Sequence, residues 1–292
     1  MDAALALCRF LHFAAAMLAF GAAGFVWALA PPRLAQALTP PVRRMVGAAI
    51  LVAAATAPIW LALEAGQMGE GWRDSLDPGA IGAVAFDTAF GRVWLWRMAL
   101  ALLLVGALAI GRHDRWPPVT LAAGLFLASL GLVGHAAMIA GPTGVADRIN
   151  HAVHLLCAGA WLGGLPPLIL CLRRDADAGL RAEVGVALRR FSTIGQAVVA
   201  LVVATGAVNA ALTLEVWRID LSSPYQALLA AKIAAVAAMI ALAAINRYVF
   251  VPRLKARRAD ALRAIARNSL AEIGLGIAAL ALVSVFAMLA PA

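Results

Sequence analysis

The sequence predicts an all-α, polytopic membrane protein: a bundle of eight transmembrane helices with both termini outside the cytoplasm. Three observations support this fold class. Hydrophobic residues make up 64% of the 292-residue chain and charged residues only 13%, whereas a soluble protein carries roughly a quarter charged residues. Eight apolar runs are each about as long as the 20 residues that cross a bilayer. Lysine and arginine are abundant in alternate connections, which sets the orientation. We therefore expect a single integral-membrane domain, residues 1–292.

Proline and glycine separate the apolar runs, because neither continues a helix well. Pro31-Pro32, Pro40-Pro41, Pro117-Pro118 and Gly141-Pro142 all fall between runs. The predicted spans are roughly Ala3–Leu29, Val42–Ala65, Gly91–Gly111, Val119–Ala140, Ile149–Leu172, Phe191–Leu214, Tyr225–Phe250 and Asn268–Leu289.

The first span resembles a secretory signal, since it ends in Ala28-Leu29-Ala30, a pattern of small residues that a signal peptidase cleaves. However, the segment has no basic start, and its apolar run is longer than that of a signal peptide. The sequence therefore favours a retained first helix.

The basic residues fix the orientation. Of the 24 lysine and arginine residues, 17 lie in the connections that follow spans one, three, five and seven, and seven lie on the other side. Basic residues collect in cytoplasmic loops, so this distribution places both termini outside the cytoplasm. The same enrichment accounts for the net charge of +9. No basic stripe is interleaved with aromatic residues, so a nucleic-acid partner is not expected.

Charged residues inside the spans have simple interpretations. Glu64 and Arg97 lie near the outer ends of spans two and three, where they are expected to pair with each other or to extend toward water. Glu272 is expected to pair with an arginine of an inner loop. No nucleotide-binding loop and no hydrolase or metalloprotease motif is present. An enzyme and an ATP-driven pump are therefore not expected.

Histidines give the clearest functional signal. The predicted topology places four of the five in the outer half of the membrane, on three helices: His12, His135, His151 and His154. The fifth, His113, lies in an inner loop and is expected to be solvated. Polar rings in a membrane helix are costly unless they share a task. A lone membrane histidine often only bonds a neighbouring helix, so the pair His151 and His154 is the strongest candidate.

Helical spacing brings sulfur groups onto the same faces, since residues three or four apart are neighbours. Cys8 and His12 are four apart, and His135 and Met138 are three apart. Cysteine and methionine more often simply pack in such helices, but imidazole, thiolate and thioether together are ligands that suit copper. The spacing thus predicts a shared site with the candidate ligands His12, His135, His151, His154, Met138 and Cys8, whose chemistry suits copper without naming the metal.

The three cysteines, Cys8, Cys157 and Cys171, are far apart in the sequence and indicate no disulfide framework.

A weak internal repeat places a glycine nine residues after a histidine in spans one and five, at Gly21 and Gly163. This spacing is consistent with a duplicated four-helix unit, about 1–140 and 141–292.

The chain resembles the copper-resistance protein D (CopD) family. Four segments carry the resemblance: HAVHLLCAGAWLGGLPPL, LVGHAAM, RFLHFAAAMLAFG and DTAFGRVWLWRMAL. The resemblance covers essentially the whole chain. Its most specific part is the His-x-x-His…Trp-x-Gly-Gly helix, here His151, His154, Trp161, Gly163 and Gly164. The resemblance implies a bacterial inner-membrane protein that carries copper toward the cytoplasm. It also implies a separate periplasmic copper-binding partner of the CopC type, since no such domain is fused within these residues.

Three alternatives remain open at this point. A b-type cytochrome would use two of the histidines as axial haem ligands. A proton-coupled transporter would need carboxylates along a path, yet Glu64 and Glu272 lie near opposite ends of the bundle. The chain could also bind copper as an assembly module without transporting it.

Overall fold

The computed structural model describes residues 1–110, 116–133, 141–213, 222–286 and 288–289, and all regular elements in these residues are helical. The helices are α1 (Asp2–Gly24), α2 (Pro32–Met68), α3 (Trp72–Ser75), α4 (Pro78–Asp87), α5 (Ala89–Ile110), α6 (Trp116–Ala128), α7 (Gly141–Arg173), α8 (Arg181–Thr213), α9 (Pro224–Ile245), α10 (Val251–Arg253) and α11 (Arg258–Phe286).

Seven helical segments in the described residues are long and apolar enough to cross a membrane, and they contain α1, α2, α5, α7, α8, α9 and α11. The predicted fourth span corresponds to α6 and the 3₁₀ turn after it. This apolar segment, Trp116–Leu132, is shorter than the other seven, and the rest of that predicted span, residues 134–140, lies outside the described residues. The prediction of an all-helical membrane architecture is therefore confirmed, and the count of eight spans stays a prediction.

Helix α2 starts earlier than the sequence indicates. The prediction placed its start at Val42, after Pro40 and Pro41, yet the structure carries both prolines inside the helix. A proline inside a helix costs roughly 3 kcal/mol, because it removes a hydrogen bond and clashes with the preceding turn. Leu34 and Leu38 in this first part are completely buried. Burying large apolar side chains offsets the cost of the prolines, at about 1.5–3 kcal/mol each.

Helices α1 and α7 cross in backbone contact at the centre of the bundle. A β-carbon at Gly21 would collide with the backbone of Gly159 and Gly163, and one at Gly163 would collide with the backbone of Met17. Glycine permits this close approach, as it does in many membrane helix pairs. Helix α1 also packs on α2, α6 and α11, and α7 packs on α8, α6 and α11. The functional side chains are therefore positioned by α1 and α7.

At the end of the bundle opposite the N-terminus, arginine side chains connect neighbouring helices. Arg190 donates to the carbonyl of Leu29, at the end of the π-helical turn that extends α1. Arg258 forms a two-pronged ion pair with Asp175. The last carbonyls of a helix have no partner within the helix, so an arginine satisfies them well. These contacts join the basic connections that the sequence assigns to the cytoplasm.

Candidate functional site

His12 lies on α1 with both ring nitrogens engaged. Its Nδ1 is 2.8 Å from the hydroxyl of Thr56 on α2. That hydroxyl donates to the carbonyl of Val52 at 2.7 Å, so it accepts from the histidine, and the proton sits on Nδ1. Nε2 then accepts from the guanidinium of Arg97, on α5, at 2.6 Å. His12 is fully buried, and its neutral ring has no lone pair free for a metal in this arrangement.

Arg97 is fully buried and is held by several neutral groups. It donates to the hydroxyl of Ser129 at 2.6 Å and to the carbonyl of Phe126 at 3.3 Å. The guanidinium also lies 4.8 Å from the ring of Trp94 and 4.9 Å from the ring of Phe126, which are favourable cation–π distances. Its Nε has no hydrogen-bond partner in the described residues. A permanent positive charge therefore sits inside the bundle, beside His12.

The expectation that Arg97 pairs with Glu64 or extends toward water is wrong. Arg97 is completely shielded from solvent, because its partners come from α1 and the α6 segment and lie in the interior. Glu64 instead accepts from the indole of Trp60 at 2.9 Å. The Trp60 ring is in turn covered by the guanidinium of Arg9, 5.1 Å away.

Cys8 lies one turn before His12 and faces the same part of α2. Its thiol donates to the backbone carbonyl of Thr56 at 3.5 Å, and the side chain is buried. The predicted sharing of one helix face by these two residues is therefore seen. We refer to Cys8, His12, Thr56 and Arg97 as the N-terminal cluster.

His151 and His154 lie near the start of α7, and both are partly buried. Nδ1 of His154 is 2.9 Å from the hydroxyl of Thr205 on α8. The threonine donates its own proton to the carbonyl of Leu201 at 2.5 Å, so the histidine proton is again on Nδ1. This tautomer leaves Nε2 of His154 with its lone pair, which is the form of imidazole that binds a metal ion.

Further polar groups surround this pair. Asn150 donates to the carbonyl of Thr205 at 3.1 Å and to the side chain of Asn209 at 2.7 Å. The side chain of His151 lies beside Asn209. The buried carboxylate of Asp147 lies one turn before His151. These contacts connect α7 to α8 through polar groups inside a membrane-spanning region.

Lys232 adds a positive charge from α9. It lies within electrostatic range of both His151 and His154 without a hydrogen bond to either, and its ammonium lies 5.7 Å from the ring of Phe286. We use the name C-terminal cluster for these residues on α7, α8 and α9: Asp147, Asn150, His151, His154, Thr205, Asn209 and Lys232.

The structure thus separates the predicted ligands into two groups with different contacts. Cys8 and His12 belong to the N-terminal cluster, and His151 and His154 belong to the C-terminal cluster. His135 and Met138 lie outside the described residues, as does His113. In the part of the chain that is described, no three histidine, cysteine, aspartate or glutamate side chains come together to hold a metal ion. The complete ligand set stays a prediction.

Several residues of these clusters were not predicted from the sequence. Thr56 and Thr205 lie in alanine-rich helices, where a hydroxyl gives no distinctive pattern. Lys232 gave a clearer signal, since it is a lone cation in the apolar run that becomes α9. A charge in such a run is a functional candidate in its own right.

A third polar group surrounds Glu272 on α11, which is only 2% exposed. The indole of Trp161 and the amide of Asn246 each donate to its carboxylate at 3.1 Å. Asn268 donates to the oxygen of Asn246 at 2.9 Å, and the buried hydroxyl of Ser269 has no partner in the described residues. The expectation that Glu272 pairs with an arginine is wrong, because neutral donors from α7 and from the π-helical turn Asn246–Phe250 occupy its carboxylate oxygens.

The chain matches two protein families named for copper resistance and a bacterial inner membrane protein. Residues 1–145 match the family described as copper resistance protein D-like, N-terminal domain, and residues 185–286 match the family described as copper resistance protein D. The inner membrane protein YebZ of Escherichia coli (strain K12) is 35% identical over 284 residues, which is 97% of either chain.

Two further relatives are more distant. Copper resistance protein D of Pseudomonas syringae pv. tomato is 30% identical over 219 residues, 70% of either chain. The copper transport protein CutJ of Bacillus subtilis (strain 168) is 28% identical over 229 residues, which is 76% of this chain and 40% of that protein. No solved structure shows a significant match.

Proposed function

This chain belongs to the copper-resistance protein D family, and we propose that it binds copper ions inside its helix bundle and carries them across the bacterial inner membrane into the cytoplasm. The family and the relatives named for copper resistance and copper transport support a copper-related membrane function. Copper is the cargo in this proposal, and the role is transport rather than catalysis.

The observation that carries the proposal is the pair His151 and His154 on α7. Both are only partly buried, and the hydrogen bond to Thr205 directs the lone pair of His154 to Nε2. The neighbouring carboxylate of Asp147 adds negative charge, which favours a bound cation. Neutral imidazole binds both oxidation states of copper.

His135 and Met138 complete the proposed ligand set. The described chain that leads toward them packs against α7 beside the histidine pair, since a β-carbon at Gly131 would contact the backbone of Arg148 and Ala152. A thioether in the set would favour Cu(I).

His12 and Cys8 are assigned a secondary role. Arg97 occupies Nε2 of His12, and the thiol of Cys8 bonds a backbone carbonyl. Copper would have to displace Arg97 before it could bind His12. We therefore propose that the first binding step uses His151 and His154, with His12 and Cys8 available only after a rearrangement.

The arginine distribution supports an orientation in which the termini and the histidines face the periplasm, and the resemblance to the family supports passage of copper from there toward the cytoplasm. A separate periplasmic copper-binding protein of the CopC type would deliver the ion. Beyond His154, α7 carries Cys157 one turn further along and Cys171 near its other end. These thiols are the soft ligands available for passage toward the cytoplasm.

Copper uptake into proteoliposomes that contain the purified protein tests this function, with bound metal measured in parallel. We expect copper to bind and to accumulate inside the vesicles, and protein-free vesicles provide the control. Binding without accumulation would support a copper-binding module that does not transport. A haem absorption band in place of copper would support the b-type cytochrome.

A further inference from the structure

The two histidine clusters have the same construction. In each, a histidine on the first helix of a half donates from Nδ1 to a threonine on the next helix, at 2.8 Å from His12 to Thr56 and 2.9 Å from His154 to Thr205. In each, the threonine hydroxyl donates to the carbonyl four residues earlier. Both histidines therefore have the same tautomer and present Nε2 away from the threonine.

The residue four positions before each histidine makes a matching contact. Cys8 donates to the backbone carbonyl of Thr56, and Asn150 donates to the backbone carbonyl of Thr205. The side chains differ in chemistry, but they bridge the same two helices at the same point.

The packing around the two central helices repeats. Helix α1 packs on α2 and α6, and α7 packs on α8 and α11. The two central helices meet at Gly21 and Gly163, each nine residues after its histidine. Each central helix also contacts the last helix of the opposite half, α1 with α11 and α7 with α6. These contacts relate the surroundings of the two central helices by an approximate axis between α1 and α7, although α2 packs on α5 whereas α8 and α9 make almost no contact in the described residues.

The third helix of each half supplies a cation. Arg97 on α5 lies over the ring of Phe126, which belongs to the last helix of its half. Lys232 on α9 lies near the ring of Phe286, which also belongs to the last helix of its half. Lys232 is therefore the counterpart of Arg97.

The two halves differ in how tightly the cation is held. Arg97 is fixed by Ser129, Phe126, Trp94 and Nε2 of His12, and no part of it reaches solvent. Lysine is a point charge on a flexible stem and lacks this fork of donors. The helices of the second half are also less buried. In their membrane-spanning stretches only 11% of the residues of α8 and 6% of those of α9 are buried, against 50% for α2 and 22% for α5.

We propose that Lys232 is a displaceable cation of the copper site, which holds the place that Arg97 fills permanently in the N-terminal half. Without copper, the positively charged ammonium interacts with the polar side chains around His151 and His154. When copper binds, the ammonium moves away, and its return favours release of the ion. This inference rests on the proposed copper-binding function and adds the residue that sets the affinity.

Copper titrations of the purified protein against a chromophoric Cu(I) chelator test the inference. Lys232→Ala removes a competing charge and should tighten copper binding by at least roughly tenfold, because a unit charge contributes that much even at about 12 Å when the effective dielectric constant is about 20. Lys232→Arg should weaken binding by at least about tenfold, because a guanidinium can donate a hydrogen bond to Nε2 of His154, as Arg97 does to His12, and so block the ligand atom. Arg92→Ala removes an exposed cation outside both clusters and should leave the affinity unchanged.

The outcomes separate this inference from the function on which it rests. A wild-type protein that binds no copper would refute the function itself. Wild-type binding with both Lys232 variants unchanged would refute the role of Lys232 and leave the function standing. Looser binding in Lys232→Ala would also refute it, since the lysine would then support the bound ion. Because the two substitutions should act in opposite directions, either variant alone decides the question if the other does not fold.

Discussion

The guanidinium of Arg97 lies 2.6 Å from Nε2 of His12, and both side chains are completely buried within the bundle. An arginine in this position uses the histidine as a hydrogen-bond acceptor, so His12 stabilises a buried charge. The same ring atom in His154 is the one we assign to copper.

Removing His12 should destabilise the protein through Arg97. His12→Ala deprives a buried cation of an acceptor, and a hydrogen bond to a charged group contributes about 1.5–3 kcal/mol. We expect a loss of this size in thermal or denaturant unfolding in detergent. In an Arg97→Met background the same histidine substitution should cost clearly less, because the charge is gone. Equal costs in both backgrounds would show that the two side chains are not coupled.

The crossing of α1 and α7 should not tolerate a side chain. Gly21→Val places branched carbons against the backbone of Gly159 and Gly163, and overpacking of this kind costs typically about 1–3 kcal/mol or more. The melting temperature should fall by several degrees, or the protein should fail to assemble. Gly106→Ala, in α5, is the matched control, since a β-carbon there meets nothing within 4 Å. Normal stability of Gly21→Val would contradict the close crossing.

The buried carboxylate of Glu272 should be required for stability. Glu272→Ala leaves the indole of Trp161 and the amide of Asn246 without an acceptor, and an unsatisfied buried donor costs about 1–3 kcal/mol. Glu272→Gln keeps one acceptor oxygen and should lose less. Unfolding measurements on the two variants check this order, and the reverse order would show that the network does not hold the carboxylate.

The orientation can be tested by cysteine labelling in intact cells, in a background where the three native cysteines are replaced by alanine. A cysteine at Ala259, an exposed residue in α11, should not react with a membrane-impermeant reagent applied from the periplasm. A cysteine at the exposed Arg73, near the opposite end of the bundle, should react. Efficient labelling at 259 would reverse the topology, and the histidine clusters would then open toward the cytoplasm.

The sequence predicted the all-helical membrane architecture well, because the length of an apolar run is a local property. It also paired Cys8 with His12 correctly, since residues four apart share a helix face. It could not predict the position of Arg97. A charge near a helix end can extend toward water or turn inward, and the choice depends on Ser129 and His12, which come from distant segments.

Helix ends were predicted less well for a similar reason. Hydrophobicity marks where a chain leaves the lipid, but a helix can continue into water. Helix α11 begins at Arg258 rather than near Asn268, and α8 begins at Arg181 rather than at Phe191. Their first turns are polar and contribute contacts such as the ion pair of Arg258 with Asp175.

The copper affinity of the double variant His151→Ala/His154→Ala tests the central claim most directly. We predict that it loses high-affinity copper binding while it remains inserted and folded, since removing polar groups from a membrane helix does not hinder insertion. His113→Ala, in the predicted inner loop, should bind copper like the wild-type protein. Unchanged copper stoichiometry and affinity in the folded double variant would contradict the account and would show that the histidine pair on α7 has a structural role.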